Sequence, residues 1–420
     1  MQTSLLSSEQ PNGYLFRNVR LLDPRFDEAR DGHEVLVENG SIKEVSDRRI
    51  ETTTAHVINC GGRTLMPGLI DCHVHIYLSE VNLSRLEQIP VSLLTARAVP
   101  LLSEMLNRGF TTVRDTGGAD WGIKEAVERG YFPGPRLFIS GRAIGPTGGH
   151  SDMRRRTDIH QHCRCCDSMR FTMAVVDGAD NVRAAVREEL RQGADAIKIM
   201  VSGGVASPYD PLDSRQFSIP EIAAAVEEAH AFKRYVLAHA YTPEAISRAL
   251  SQGVRTIEHG NLIDAHTAQL LARSGGYLVA NLVTYFVMRE RAAEFGMDAA
   301  KIEKNEQVLK GGIQSLEICK RAGVKVGFGS DLLGQLQEEQ SREFVLRAEV
   351  VTPMEVIRSA TIIGAEIVRM EGKLGVIEPG AIADILIVEG DPAKNIELLQ
   401  HQGEHLALIM KNGRIHKTRL

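Results

Sequence analysis

The chain of 420 residues contains no run approaching the roughly 18 uninterrupted apolar residues that a membrane-spanning helix needs. Its longest basic run is Arg154-Arg155-Arg156 and its formal net charge is -5, so it lacks the electrostatic footprint of a nucleic-acid-binding protein. The N-terminal residues lack the charged-then-apolar layout of a secretory leader. Cysteine is sparse, with six scattered along the chain. The cluster His160-Gln161-His162-Cys163-Arg164-Cys165-Cys166 lacks the paired C-x2-C knuckles of a structural zinc site and reads as a loop with free thiols. Free thiols suit a reducing compartment. These absences predict a cytoplasmic protein with neither a nucleic-acid nor a membrane partner. A secreted or periplasmic mature form is the alternative.

What is present is the composition of an ordinary globular protein, 43% hydrophobic and 25% charged. The length suits a barrel of about 250 residues plus a smaller partner. Short strand patterns open the chain, at Tyr14 to Leu21 and Glu34 to Glu38, and Asn39-Gly40 supplies a hairpin turn into Ser41 to Val45. The C-terminus has the same character, with an apolar strand at Ala383 to Val388 and a second hairpin candidate around Asn412-Gly413. Two β-rich ends flanking a β/α middle predict one composite β-sandwich domain built from both termini. The expected division is 1–65 and 371–420 for that domain and 66–370 for the barrel.

In the middle, eight strand candidates alternate with helical patterns: Leu69 to Asp71, Thr111 to Asp115, Arg136 to Ser140, Ala196 to Val201, Tyr235 to His239, Thr256 to His259, Tyr277 to Asn281 and Val324 to Gly329. Helical patterns run from Asn181 to Arg191, Pro220 to Phe232, Pro243 to Ser251 and Ala299 to Arg321, several ending at glycine. This alternation predicts an α/β fold, a (β/α)8 TIM barrel. Gly141 to Asp177 reads as a long loop, and loops of that length are usually functional.

Six residues lie at or near the ends of these strands: His73, His75, Lys198, His239, His259 and Asp331. Barrel chemistry sits at the C-terminal face of the strands. His73-Val74-His75 places two imidazoles on one face of an extended segment, and imidazole suits zinc and related ions. His239 or His259 alone would fit a satisfied core histidine; with the pair they point to metal. Lys198 lies between Ile197 and Ile199, in a strand type usually covered on both faces. Burial lowers the pKa of such an amine. A neutral amine takes up carbon dioxide to give a carbamate, whose oxygens can bridge two metal ions. Asp331 can ligate a metal or move a proton.

Together these residues resemble the amidohydrolase superfamily, in the subtype with two metals bridged by a carboxylated lysine. The resemblance runs from Pro67-Gly68-Leu69-Ile70-Asp71-Cys72-His73-Val74-His75 to Gly380-Ala381-Ile382-Ala383-Asp384-Ile385. It implies that His73, His75 and Asp331 bind the more buried ion, that His239 and His259 bind the more exposed one, and that Lys198 bridges. The implied cofactors are two divalent ions, with zinc the expected identity, and carbon dioxide held as the carbamate.

Three segments narrow the resemblance: Gly145-Pro146-Thr147-Gly148-Gly149-His150, Lys198 to Val205, and His239-Ala240-Tyr241-Thr242-Pro243. They are similar to peptidases that remove the C-terminal residue of dipeptides and N-acyl amino acids, including prolidase-like, arginine- or lysine-releasing and ochratoxin-hydrolysing members. The implied roles of His150 and Tyr241 are to hydrogen-bond the scissile carbonyl or the oxyanion. The expected reaction is attack by a metal-bridging hydroxide on a small amide or peptide substrate, with Asp331 carrying the proton.

A lactonase, cyclic amidase or organophosphate hydrolase would use the same site, and an inactive scaffold of the same fold is a third reading. A free substrate carboxylate would need a clamp, for which Arg154 to Arg156, Arg215 and the Ser202-Gly203-Gly204 backbone are candidates. Tyr77 to Val91, the Cys163 region and Tyr285 to Ala300 are the expected specificity loops. The resemblance also implies a homo-oligomer, an octamer being one form.

Overall fold

The structure, a computed structural model, describes residue 11 and residues 13–154, 156, 172–207 and 209–420. The cysteine cluster at 163–166 lies outside the described residues. At the N-terminus, β1 (Gly13–Leu21) pairs antiparallel with β2 (Arg30–Glu38), and β2 pairs antiparallel with β3 (Ser41–Ser46). Asn39 and Gly40 join β2 to β3 with φ of 51° and 78°. Positive φ at both central residues is the turn geometry that matches strand twist, and Asn-Gly adopts it with little strain. Parallel to β1 run β4 (His56–Asn59) and β5 (Thr64–Pro67).

The site rests on two parallel sheets. The first holds β6 (Leu69–Val74), β7 (Phe110–Asp115) and β8 (Arg136–Ile139) in that order. The second contains β9 (Ala143–Gly145), β10 (Met173–Val175), β11 (Ile197–Met200), β12 (Val236–Ala240), β13 (Thr256–His259), β14 (Tyr277–Ala280) and β15 (Lys325–Phe328). Its order is β10-β9-β11-β12-β13-β14-β15. Backbone hydrogen bonds link both edges of the first sheet to the second: Asp195 N, leading into β11, donates to Ile139 O at 2.7 Å and Asp331 N, past β15, to His73 O at 2.9 Å. Every residue of β6, β7 and β11 to β14 is buried, as parallel strands covered on both faces should be.

All eight expected strands are present. Two more, β9 and β10, lie inside the segment read as a loop, and β11 pairs with β9 at Ile199 and Ile144. A three-residue strand such as Ala143-Ile144-Gly145 is too short to show periodicity.

Helix ends follow local chemistry. Ser218 and Glu221 form a capping box on Ile219–Ala231, Thr242 accepts from Ala245 N at the start of Pro243–Ser251, and Asp298 caps Ala299–Ala322. Gly323 ends that last helix at φ 74°, a conformation a side chain would strain. Val91–Asn107 is helical despite Pro100 in its interior. Buried Arg347 donates to Ala280 O and Gly327 O and pairs with Glu343 at 2.6 Å, which fastens β14 to β15.

The chain's end returns to the first sheet: β16 (Ile385–Val388) pairs antiparallel with β5, then β17 (Leu406–Lys411) and β18 (Arg414–Thr418) follow. Strands from both termini thus share one eight-stranded sheet. Asn412 and Gly413 turn β17 into β18 at φ of 51° and 71°. Among the described residues, no helix is long and apolar enough to cross a membrane.

Candidate metal centre

The strand ends bring the six sequence-predicted residues to one place. His73 lies on β6 with His75 just beyond, Lys198 on β11, His239 on β12, His259 at the end of β13, and Asp331 just past β15. All six line one cavity, together with His150 and Tyr241. His73, His75 and Asp331 are closest: Asp331 Oδ1 is 3.2 Å from His73 Nε2 and 3.1 Å from His75 Nε2. Ligand atoms about 2.0–2.2 Å from a tetrahedral metal stand roughly 3.3–3.5 Å apart. The spacing therefore fits one divalent ion.

The outward nitrogens make the stronger case. His73 Nδ1 donates to Glu258 Oε2 at 2.8 Å, His75 Nδ1 to Gly117 O at 3.2 Å, and His239 Nε2 to Gly203 O at 2.9 Å. His259 Nδ1 lies 3.2 Å from Tyr285 Oη. His73, His75 and His239 each spend one nitrogen on an oxygen outside the cavity lining, which leaves the other free to ligate, as in metal-binding histidines. Burial drives the basicity of His239 and His259 well below the ordinary histidine value, so both rings are neutral, with a lone pair to give. His73 behaves differently: burial lowers its pKa, but the nearby Asp331 and Glu258 carboxylates raise it above the ordinary value. The same contact works on Asp331. Burial would raise its pKa, yet His73, His75 and His259 hold it well below the carboxylate range.

Lys198 is 2% exposed. Burial pulls its amine down to about 8 although Glu258 and Asp331 favour the charged form. An amine so placed exchanges its proton near neutrality, which carbamate formation requires.

Backbone strain marks the same spot. His259 and Asp331 have φ of 71° and 53°, which non-glycine residues seldom adopt. Such strain costs about 1–3 kcal/mol and persists where the surroundings enforce it. At Asp331 the enforcing contact is the hydrogen bond from its own N–H to His73 O.

His150 and Tyr241 flank this group. The His150 ring stacks on His239 with centroids 4.2 Å apart and planes 23° from parallel. Gly204 makes that possible, because a Cβ there would fall 2.0 Å from His150 Cε1. His150 N donates to Gln216 Oε1 at 2.9 Å, and Nδ1 lies 2.8 Å from Ser207 Oγ. Burial pushes the ring's pKa down to about 4, so it is neutral. Tyr241 N donates to Ser202 Oγ at 3.1 Å, and the Tyr241 ring stands edge-on to His239.

Residues 64–417 match the sequence model of the amidohydrolase family. The chain belongs to the amidohydrolase family. A crystal structure described as an amidohydrolase is 53% identical and covers 97% of this chain and 100% of its own, with a TM-score of 0.95. A prolidase complexed with N-methylphosphonate-L-proline is 46% identical, covering 97% of this chain and all of its own with a TM-score of 0.94. Ochratoxinase from Aspergillus niger is 28% identical over 374 residues, 84% of this chain and 75% of its own length.

In this amidohydrolase, a layer of buried charge beneath the histidines had no place in the sequence reading. Glu258 receives two hydrogen bonds from Arg114 Nη2, at 2.8 and 2.9 Å, beside the one from His73. Arg114 Nε also donates to Cys72 O at 2.6 Å. Asp71 accepts from His73 N, Ser330 N, Ser330 Oγ and Gln340 Nε2, which ties the end of β6 to the end of β15. A signal existed: Arg114 and Glu258 are charged residues in doubly covered strands, the same oddity that singled out Lys198. Tyr285, whose Oη also lies 2.9 Å from Tyr241 Oη, carried no such signal.

The arginines considered as carboxylate clamps are absent from the described lining of the cavity. Arg154 Nε donates to Asp152 at 2.6 Å, Arg156 lies over the Tyr209 ring, and Arg215 pairs with Glu244 at 3.1 Å. Arg155 lies outside the described residues. A carboxylate accepts, so only the N–H groups of Ser202-Gly203-Gly204 could clamp it; the carbonyls Gly203 O and Gly204 O accept from His239 and from Lys304 Nζ, the latter at 3.3 Å.

Proposed function

We propose that this amidohydrolase uses two metal ions to cleave the amide bond of dipeptides or N-acyl amino acids, ochratoxin-like amides included, releasing the C-terminal amino acid. The observation that carries this reading is the set of four imidazoles in one cavity, three of them with one nitrogen bonded to an oxygen outside its lining. Relatives described as a prolidase and an ochratoxinase agree with it.

In this reading His73, His75 and Asp331 would hold one divalent ion, and His239 and His259 a second. Lys198 would join both sets of ligands as a carbamate: its nitrogen would bond to the carbon of carbon dioxide and lose a proton, leaving an anionic carboxylate to offer them. Two divalent ions, zinc by the imidazole-rich donor set, supply a nucleophile at neutral pH and polarise the substrate carbonyl. Asp331 takes the proton of the attacking water and passes it to the nitrogen of the leaving amine. Tyr241 Oη–H donates to the oxygen that becomes negative as the carbonyl carbon turns tetrahedral. Ser207 can donate to His150 Nδ1, which leaves Nε2–H as a second donor to that oxygen.

We further propose that the two parallel sheets form one closed (β/α)8 barrel, spanning 66–370, against a β-sandwich domain built from 1–65 and 371–420. The hydrogen bonds at both edges of the β6-β7-β8 sheet and the mixed terminal sheet support this division.

The test is a panel of dipeptides and N-acyl amino acids with varied C-terminal residues, alongside lactones and phosphotriesters. Turnover confined to the amides supports the reading. Turnover confined to the esters, or to none of the panel, contradicts it.

A further inference from the structure

Tyr241 is not the end of its hydrogen-bond chain. Its Oη lies 2.9 Å from Tyr285 Oη, and Tyr285 Oη lies 3.2 Å from His259 Nδ1. The three groups are fully buried and line the same cavity. Each hydroxyl has one proton, and a buried Tyr285 that accepted from both neighbours would leave its own proton without a partner, so two directions satisfy every group. If Tyr241 donates to Tyr285, Tyr285 must donate to His259, and Tyr241 shows the cavity only lone pairs. If His259 donates to Tyr285, Tyr285 donates to Tyr241, and the Tyr241 proton is free to meet an anion.

His259 sets the direction. Asp331 Oδ2 lies 3.6 Å from the same Nδ1, and a carboxylate so near favours the tautomer with the proton there. The ring's other nitrogen is then the one with a lone pair, as a metal ligand needs. Tyr285 therefore accepts from His259 and donates onward.

We infer that Tyr285 is a positioning residue, which orders the protons so that the Tyr241 hydroxyl always points at the developing oxyanion. The inference rests on the amide-hydrolase reading above. Tyr285 itself touches no reacting atom in this account. Its effect passes through Tyr241, and that sets it apart from a residue that merely fills space between the helix Val283–Glu290 and the strands.

The test is a double-mutant cycle on the metal-loaded protein, with Tyr285→Phe, Tyr241→Phe and the double variant. Phe keeps the ring and removes only the hydroxyl. Loss of one oxyanion donor lowers kcat by about 10²–10³, which is the expectation for Tyr241→Phe. For Tyr285→Phe, the loss of one ordering hydrogen bond predicts a kcat about tenfold lower at similar KM. The double variant should be no slower than Tyr241→Phe alone, because a residue acting through Tyr241 has nothing left to orient.

A second readout is binding. Calorimetry with an N-phosphonyl amino acid, a tetrahedral anion, should show about tenfold weaker affinity for Tyr285→Phe. Affinity for the product amino acid and metal content should match the wild type. Losses that multiply in the double variant, unchanged anion affinity, or loss of metal or fold in Tyr285→Phe would overturn the inference. A wild type inactive on every amide would instead remove the reading beneath it, and that outcome is seen before any variant is made.

Discussion

His73 and Glu258 share a buried hydrogen bond of 2.8 Å, and the same carboxylate is gripped by Arg114. The first proposed metal ligand of the chain, His73, is thus oriented by an ion pair that spans β7 and β13. Burial alone would raise the Glu258 pKa, but Arg114 and His73 hold it far below the usual range. Glu258→Gln should weaken metal affinity by about 10–100-fold, the usual cost of losing such a partner. It should also destabilise the fold by about 3 kcal/mol, since Arg114 is left without its counter-charge. Metal titration and denaturant unfolding measure the two effects separately. Wild-type metal affinity in this variant would detach Glu258 from the site.

Asp331→Asn keeps a similar shape and the capacity to ligate, but it cannot accept a proton. The expected result is a folded, metal-loaded protein whose kcat falls about 10²–10⁴-fold. Steady-state kinetics beside metal analysis checks this. A variant running at the wild-type rate would remove Asp331 from proton transfer.

Carbamate formation needs both a neutral Lys198 amine and dissolved carbon dioxide. Metal-free protein reloaded in carbon-dioxide-depleted buffer should recover activity slowly, and added bicarbonate should speed recovery. Because burial places the amine near 8, recovery should also quicken from pH 6 to pH 8 as the neutral fraction grows. Recovery indifferent to bicarbonate at every pH would count against the bridge.

The cavity wall beyond the ligands is apolar, with Leu78, Leu83, Met173, Met200, Met288 and Leu333 among its residues. Outside the proposed ligands and the neutral His150, no acidic or basic side chain is among the described residues of that wall. A charged substrate side chain would lose water there without gaining a partner. The expected order is apolar C-terminal residues above aspartate, arginine or lysine by at least about tenfold in kcat/KM. A panel led by arginine or lysine would contradict the wall as described.

Away from the site, Lys411 is half-buried, with Nζ donating to Gly134 O at 2.6 Å. Burial lowers its pKa to about 8, against the opposing pull of Asp384. The unfolded chain therefore binds the proton more tightly than the folded one, and the charged lysine costs the fold stability below pH 8. That cost fades as pH rises toward the unfolded value of 10.5. Lys411→Met should melt higher than the wild type at pH 7, by roughly 2–4 °C, with the gap closing by pH 10. A gap that does not change with pH would show that folding leaves the Lys411 pKa unshifted.

Much of this site was legible because its residues are out of place. A lysine between two isoleucines and histidines at strand ends break the apolar pattern of doubly covered strands, and a broken pattern shows in one dimension. Arg114 and Glu258 break it in the same way, and could have been read by the rule applied to Lys198. Tyr285 breaks nothing. It belongs to a helix of mixed character, and its bond to Tyr241 crosses 44 positions of chain that no local pattern connects. The short strands β9 and β10 were hidden for a different reason, since three residues hold too little periodicity to separate a strand from a turn. The paired Asn-Gly hairpins were plain, because few other dipeptides tolerate positive φ twice in succession.

The most direct test of the central claim is metal content measured on the same sample as amide turnover. The account predicts about two divalent ions per chain, loss of turnover on chelation, and recovery when the metal is restored. Protein stripped of metal that still cleaves the amide at the undiminished rate would contradict it.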